Sequence, residues 1–95
     1  MNAPYQNTVH YSELADLPAD DPLAIELAAY KREAGRLIAE GHEGRFVLIK
    51  NGVVIGIWDN WHDAIVAGEA RFGVREPFMV HQILTRERVY RLRCA

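Results

Sequence analysis

The chain has 95 residues, of which 49% are hydrophobic and 25% are charged, and its formal net charge is −2. This length and balance are typical of one small globular domain with its own core. No apolar run approaches the roughly 20 residues that cross a bilayer, which argues against a membrane protein, and a pI near 6 argues against a dedicated nucleic-acid binder.

The first 21 residues predict an irregular lead-in, because they contain Pro4 and Pro18 and show no sustained hydrophobic period. They also lack the basic and apolar segments of a secretory signal peptide. The single cysteine, Cys94, cannot form a disulfide within the chain. We therefore expect a cytoplasmic protein.

Residues 22–85 are predicted to form the core domain. Its first helix, at 22–39, has Asp21 as N-cap, Pro22 at the first helical position and Gly41 as its stop. One face of this helix is apolar at helical spacing, which indicates packing on the protein's own sheet, although a partner-binding helix has the same pattern. The apolar positions are Leu23, Leu27, Tyr30, Ala34, Leu37 and Ile38.

A β-hairpin is predicted next, with strands at 45–50 and 53–58 joined by Asn51 and Gly52. Asn-Gly favours a type I′ turn, which needs positive φ at both positions. Each strand contains consecutive apolar residues, which is typical of a strand buried on both faces or facing a partner on one. Gly56 indicates a bulge or the close approach of another group.

A second helix is expected to be capped by Asp59 or Asn60, to end at Gly73, and to lead into a third strand at 78–84. Its predicted inner stripe consists of Trp61, Ile65, Gly68 and Phe72. Residues 86–95 form a basic C-terminal tail or a fourth, edge strand. The predicted fold is a single small α+β domain of order α-β-β-α-β, with two helices covering one face of the sheet.

Four motifs together resemble a family of small bacterial domains of unknown function. They are GRFVLI at 44–49, VVIGIWD at 53–59, the helical segment 64–73 ending in RFG, and PFMVHQI at 77–83. With the preceding helix the resemblance covers about two-thirds of the chain. It implies a shared fold, and it implies no activity, cofactor or partner, because the family has no established activity.

The segment from Trp58 to Asp63 contains the residues that most resemble a chemical site. Asp59, His62 and Asp63 could bind a metal or small ligand, or share a proton in hydrolysis, but they also occupy the positions of a helix cap. The four histidines show no metal-ligand spacing, and Ser12 and Cys94 are poorly placed as nucleophiles. We therefore expect no enzyme activity, no metal and no cofactor.

The leading hypothesis is a protein-interaction module that forms a homo-oligomer or docks on another protein. If both helices lie on one face, the other face of the sheet is apolar and larger than a monomer usually exposes. Docking would use that face or an edge strand. The candidate interaction residues are Val54, Trp58, Met79, His81 and Ile83, with Arg91 and Arg93 at the rim.

Nucleic acid is the less favoured partner. Residues 85–95 carry four arginines and one glutamate, and Tyr90 among them could stack on a base. The alternative explanation is a solvated edge strand that is attracted to acidic surface, since residues 1–40 carry seven acidic and three basic residues.

Overall fold

The computed structural model describes residues 8–88, and this part contains two α-helices and five strands. In chain order they are β1 (Thr8–His10), α1 (Ala24–Ala39), β2 (Phe46–Lys50), β3 (Val53–Trp58), α2 (Trp61–Phe72), β4 (Met79–Gln82) and β5 (Arg86–Arg88). A single 3-10 turn, Tyr11–Glu13, follows β1. The predicted α+β class and the order α-β-β-α-β from α1 to β4 are confirmed.

The main sheet is antiparallel and has the strand order β3-β2-β4. β2 is central, so β3 and β4 run in the same direction on either side of it, and α2 is the connection between them. β1 and β5 pair with each other in a separate two-stranded ribbon. The C-terminal strand therefore does not extend the main sheet, although the tail does form a strand as far as Arg88.

The two helices cover opposite faces of the main sheet. Val47 and Ile49 of β2 belong to the core cluster that includes Tyr30 and Leu37 of α1. Leu48, which lies between them, is also fully buried but points to the other face, where α2 packs. The expectation that both helices share one face is therefore wrong, because a central strand with uninterrupted apolar residues is buried on both sides.

Gly68 allows α2 to pack closely on its face of the sheet. Gly68 is buried, and a side chain at this position would collide with the ring of Phe78, just before β4. The Phe78 ring lies 6.2 Å from that of Phe72, and the Lys50 ammonium lies 5.7 Å from the Phe72 ring. Lys50 shares its face with Leu48, two residues earlier in β2.

The turn chemistry agrees with the sequence in most places. Asn51 has φ 53° and Gly52 has φ 79°, as the predicted type I′ turn requires. The first helix begins later than predicted, at Ala24, because Asp21 does not cap it. The Asp21 carboxylate instead accepts a hydrogen bond of 2.9 Å from the Leu23 N–H in a turn that precedes the helix.

Candidate interaction site

β3 is an outermost strand of the main sheet, and its side chains are apolar. Its six residues include no charged residue and no proline, and none of them is buried. Val53 exposes 57% of its surface. Within residues 8–88 no second strand pairs with its outer edge. The outward N–H and C=O groups of β3 are therefore available to a strand from elsewhere.

The other outermost strand, β4, is less suited to pairing with a strand from elsewhere. It has only four residues, and two of them, His81 and Gln82, are polar. The Gln82 carbonyl oxygen also lies 3.3 Å from the Tyr30 hydroxyl oxygen. Of the two edges of the main sheet, β3 is thus the longer and the more apolar.

A β-bulge interrupts β3. Leu48 of β2 lies opposite Gly56, whereas the next residue, Ile49, lies opposite Val54. Ile55 is therefore the extra residue of the bulge. Gly56 indicated a bulge at this place, and the structure shows one beside it.

The bulge separates two residues that were predicted to act together, Val54 and Trp58. Val54 packs against the core cluster beneath α1, whereas Trp58 lies opposite Phe46 on the α2 face. The indole of Trp58 extends back over Gly56, where a Cβ atom would come 2.7 Å from Trp58 Cη2. The missing side chain at Gly56 therefore provides the space in which Trp58 lies along the strand.

The other strand residues predicted for interaction lie with Val54 on the face that α1 covers. Ile83 is fully buried, and Met79 packs against the core cluster. His81 is half-buried, and its ring centroid lies 4.3 Å from that of Tyr30. The open apolar face that suggested these residues is therefore covered in the folded chain, and the apolar part of the main sheet that stays accessible is its edge at β3.

The predicted arginine rim lies outside the described residues. Arg91 and Arg93, together with Tyr90, lie beyond residue 88. Arg86, at the start of β5, donates from Nη2 to the Thr8 carbonyl oxygen at 2.8 Å. This arginine of the tail therefore helps to hold the β1–β5 ribbon together.

Two exposed charges of opposite sign lie at the two ends of β3. At the hairpin end, Arg32 of α1 donates from Nη2 to the Gly52 carbonyl oxygen at 3.3 Å. At the other end Asp59 exposes 82% of its side chain, and its Oδ1 lies 3.1 Å from Nε of Arg45. Arg45 precedes Val47 by two residues and therefore lies on the α1 side of the sheet. Asp59, which contacts Arg45, is on the same side, as is Arg32 of α1.

The segment after β3 forms the N-terminal cap of α2. Asn60, and not Asp59, caps α2: its Oδ1 accepts from the Asp63 N–H at 2.8 Å, and its Nδ2 donates to Asp63 Oδ2 at 3.0 Å. His62 is exposed. In the described part of the chain, no three His, Cys, Asp or Glu side chains are grouped as metal ligands.

Trp61 does not lie on the inner stripe of α2, and that prediction is wrong. It exposes 53% of its surface, whereas Ala64 and Gly68 are the buried residues of the helix. The inner face is therefore rotated toward these small residues, because α2 lies close to the sheet. A large exposed aromatic side chain is left three residues beyond Trp58.

A buried polar cluster beneath the β1–β5 ribbon was not foreseen. Glu87 of β5 is buried, its Oε2 accepts from the Tyr30 hydroxyl at 2.8 Å, and its Oε1 lies 3.0 Å from His81 Nε2. The Leu84 N–H donates to the same hydroxyl at 3.2 Å. Burial is the main cause that raises the pKa of Tyr30 above its usual value. Nothing in the arginine-rich tail marks Glu87 as buried.

Glu26 is a second buried acid that the sequence analysis missed. Its Oε2 accepts a hydrogen bond of 2.7 Å from the Asn51 N–H, so α1 holds the turn of the hairpin. Glu26 precedes Tyr30 by four residues and therefore shares its helical stripe. That spacing was the signal that could have identified it.

No helix in residues 8–88 is both long and apolar enough to cross a membrane. Comparison of the chain with protein-family models, with curated proteins and with solved structures finds no match. The resemblance to small bacterial domains therefore remains a prediction.

Proposed function

We propose that this protein is a non-enzymatic interaction and assembly module, and that it docks through the outer edge of β3. The observation that supports this role is a six-residue, uncharged, outermost strand whose outward backbone groups have no strand partner within the described residues. Such an edge accepts an extended segment by β-augmentation. Main-chain hydrogen bonds then give affinity, and the flanking side chains give specificity.

The usual protections of an edge strand are mostly missing from β3. Natural edges are shortened, or carry lysine or proline, because an unprotected edge pairs with other chains. β3 is longer than β4 and has neither residue type. Its one protective feature is the bulge, which bends the strand locally, but β3 remains paired with β2 on both sides of it.

Aromatic side chains near the end of β3 support the same role. Trp58 is half-buried along the strand, and Trp61 is exposed at the first position of α2. Tryptophan is enriched among the residues that dominate binding energy at protein interfaces, since it buries a large area at a small entropic cost. A strand docked on β3 would end beside these two rings.

The proposed edge is tested with amide hydrogen exchange of the whole protein and a synthetic peptide of residues 51–60 as the probe strand. We expect the outward amides of β3 to exchange rapidly in dilute protein and to become protected as the peptide is added. Val53→Asp should abolish this protection, because it places a charge on the edge. Val74→Asp is the matched control, since Val74 is exposed in the loop between α2 and β4.

Protection of β3 that is lost in the Val53→Asp variant and retained in the Val74→Asp variant supports the edge as the docking site. If the peptide protects no amide of β3, or if both variants respond alike, the proposed function is overturned.

A further inference from the structure

We infer that the strand which pairs with β3 is the β3 of a second copy of this chain, in antiparallel orientation, with Gly52 opposite Asp59 of the second copy. This inference rests on the proposed function, and it names the partner of the same edge. The product is a two-fold symmetric dimer whose two main sheets join into one continuous six-stranded sheet.

Symmetry determines which faces meet. Two identical edge strands that pair antiparallel are related by a two-fold axis perpendicular to the sheet, so each face continues into the same face of the other copy. Both α1 helices then lie on one side of the joined sheet, and both α2 helices lie on the other. A surface feature on the α1 side of one copy can therefore meet only a feature on the α1 side of its mate.

The charges at the ends of β3 satisfy this condition. Arg32 is at the hairpin end and Asp59 at the opposite end, and both belong to the α1 side. Antiparallel pairing exchanges the two ends, so Arg32 of each copy approaches Asp59 of the other, and two opposite-charge pairs form by symmetry. In a parallel pair the second copy would be turned over, so its α1 side would continue into the α2 side of the first copy and Arg32 could not meet Asp59.

Each charge retains the capacity for such a pair. Arg32 lies 3.8 Å from Glu33 and keeps 60% of its side chain exposed. Asp59 contacts Arg45, but its side chain is more exposed than that of Arg45. Exposed ion pairs of this kind contribute little within a monomer, whereas their complementarity across an interface selects the partner and the register.

The same register matches the apolar side chains by size. With Gly52 opposite Asp59 of the second copy, Val53 lies opposite Trp58 and Ile55 lies opposite Gly56. Val53, which is exposed in the monomer, is thus covered by an indole, and an aromatic residue opposite a β-branched one is a favourable cross-strand pair. Ile55, the bulge residue, lies opposite Gly56, over which the Trp58 indole extends, so its side chain meets that ring.

The test is the solution mass of the whole protein, measured by light scattering over a concentration series, together with a charge exchange. We expect a dimer for the wild type. Arg32→Glu and Asp59→Arg should each raise the dimer dissociation constant about tenfold, because each change replaces two attractions by two repulsions. The double variant should restore the affinity to within a few fold. Arg75→Glu, an exposed arginine in the loop after α2, is the control and should change nothing.

A dimer that the single variants weaken and the double variant restores supports the inference. If Val53→Asp dissociates the dimer but none of the charge variants changes its dissociation constant, the antiparallel register is overturned and the edge remains the docking site. If Val53→Asp also leaves the dissociation constant of the dimer unchanged, both the inference and the proposed function are overturned. A wild type that is monomeric at every concentration overturns the second copy as partner, and the peptide-protection experiment then decides the proposed function separately.

Discussion

The hydroxyl of Tyr30 in α1 donates to the carboxylate of Glu87 in β5 at 2.8 Å, and both residues are buried. Glu87 lies opposite Val9 in the two-stranded ribbon. One hydrogen bond therefore connects the first helix to a ribbon built from two distant parts of the chain. Because His81 and the Leu84 N–H complete the cluster, its donors and acceptors are matched.

The first prediction concerns the loss of this hydroxyl. Tyr30→Phe should lower the free energy of unfolding by about 1–3 kcal/mol, because it leaves the buried Oε2 of Glu87 and the Leu84 N–H without a partner. The measurement is urea denaturation. Tyr11→Phe is the matched control, since Tyr11 packs against the core cluster through its ring. Equal losses in the two variants would contradict a special role for the Tyr30 hydroxyl.

The second prediction concerns alkaline pH. Burial raises the pKa of Tyr30 above the ordinary value of about 10. The folded state therefore favours the neutral phenol, and its stabilising contribution is complete below pH 10 and is lost as the pH rises above it. We expect the free energy of unfolding to fall above about pH 10, and one of the four tyrosines to ionise only as the protein unfolds.

Absorbance of the phenolate, followed alongside circular dichroism, measures both events. The Tyr30→Phe variant should lack the late-ionising group and lose less stability over the same pH range. A late ionisation that persists in this variant would show that a different tyrosine is responsible.

The third prediction concerns the buried acid that holds the hairpin turn. Glu26→Ala should destabilise the protein by about 1–3 kcal/mol, because the Asn51 N–H loses its acceptor. Glu26→Gln should cost less, since the amide oxygen can still accept this bond. Glu69→Ala, at an exposed position of α2, should change the free energy of unfolding by no more than about 0.5 kcal/mol. Urea denaturation of the three variants distinguishes these results.

The fourth prediction compares two helical glycines. Alanine has the higher helix propensity, by about 1 kcal/mol, but a Cβ at Gly68 would press on the Phe78 ring, which is held between α2 and the sheet. Gly68→Ala should therefore destabilise by about 1–3 kcal/mol, the usual cost of overpacking. At Gly35 the close atom is only the hydroxyl oxygen at the far end of Tyr11, whose side chain is not buried, so a small shift of that side chain makes room.

Thermal unfolding of the two variants is the measurement. Gly35→Ala should be neutral or stabilising, whereas Gly68→Ala should lower the melting temperature. A stabilised Gly68→Ala protein would mean that α2 can shift away from the sheet without cost.

The local elements of this fold were predictable because their signals lie within a few residues. Asn51 and Gly52 specify the hairpin by their backbone conformation, and Asn60 specifies the start of α2 by its side chain. Which helix covers which face of the main sheet was less predictable. Leu48 shows that β2 is apolar on both sides, but the sequence pattern did not say that two different helices cover them.

The candidate site was harder to predict for a related reason. The bulge at Ile55 reverses the alternation of β3, so that Val54 and Trp58 lie on different faces. A single inserted residue has this effect, and sequence spacing alone does not reveal it. Glu87 and Tyr30 are 57 positions apart, and no local pattern connects them.

The pairing of β1 with β5 has a practical consequence for engineering. Thr8 lies directly opposite Arg88, so the polypeptide enters and leaves the described domain at neighbouring points. A domain with this geometry can be inserted into a surface loop of a host protein, because the two ends of the loop need not be pulled apart. The β3 edge lies in the other sheet, so the points of attachment at residues 8 and 88 are not part of that edge.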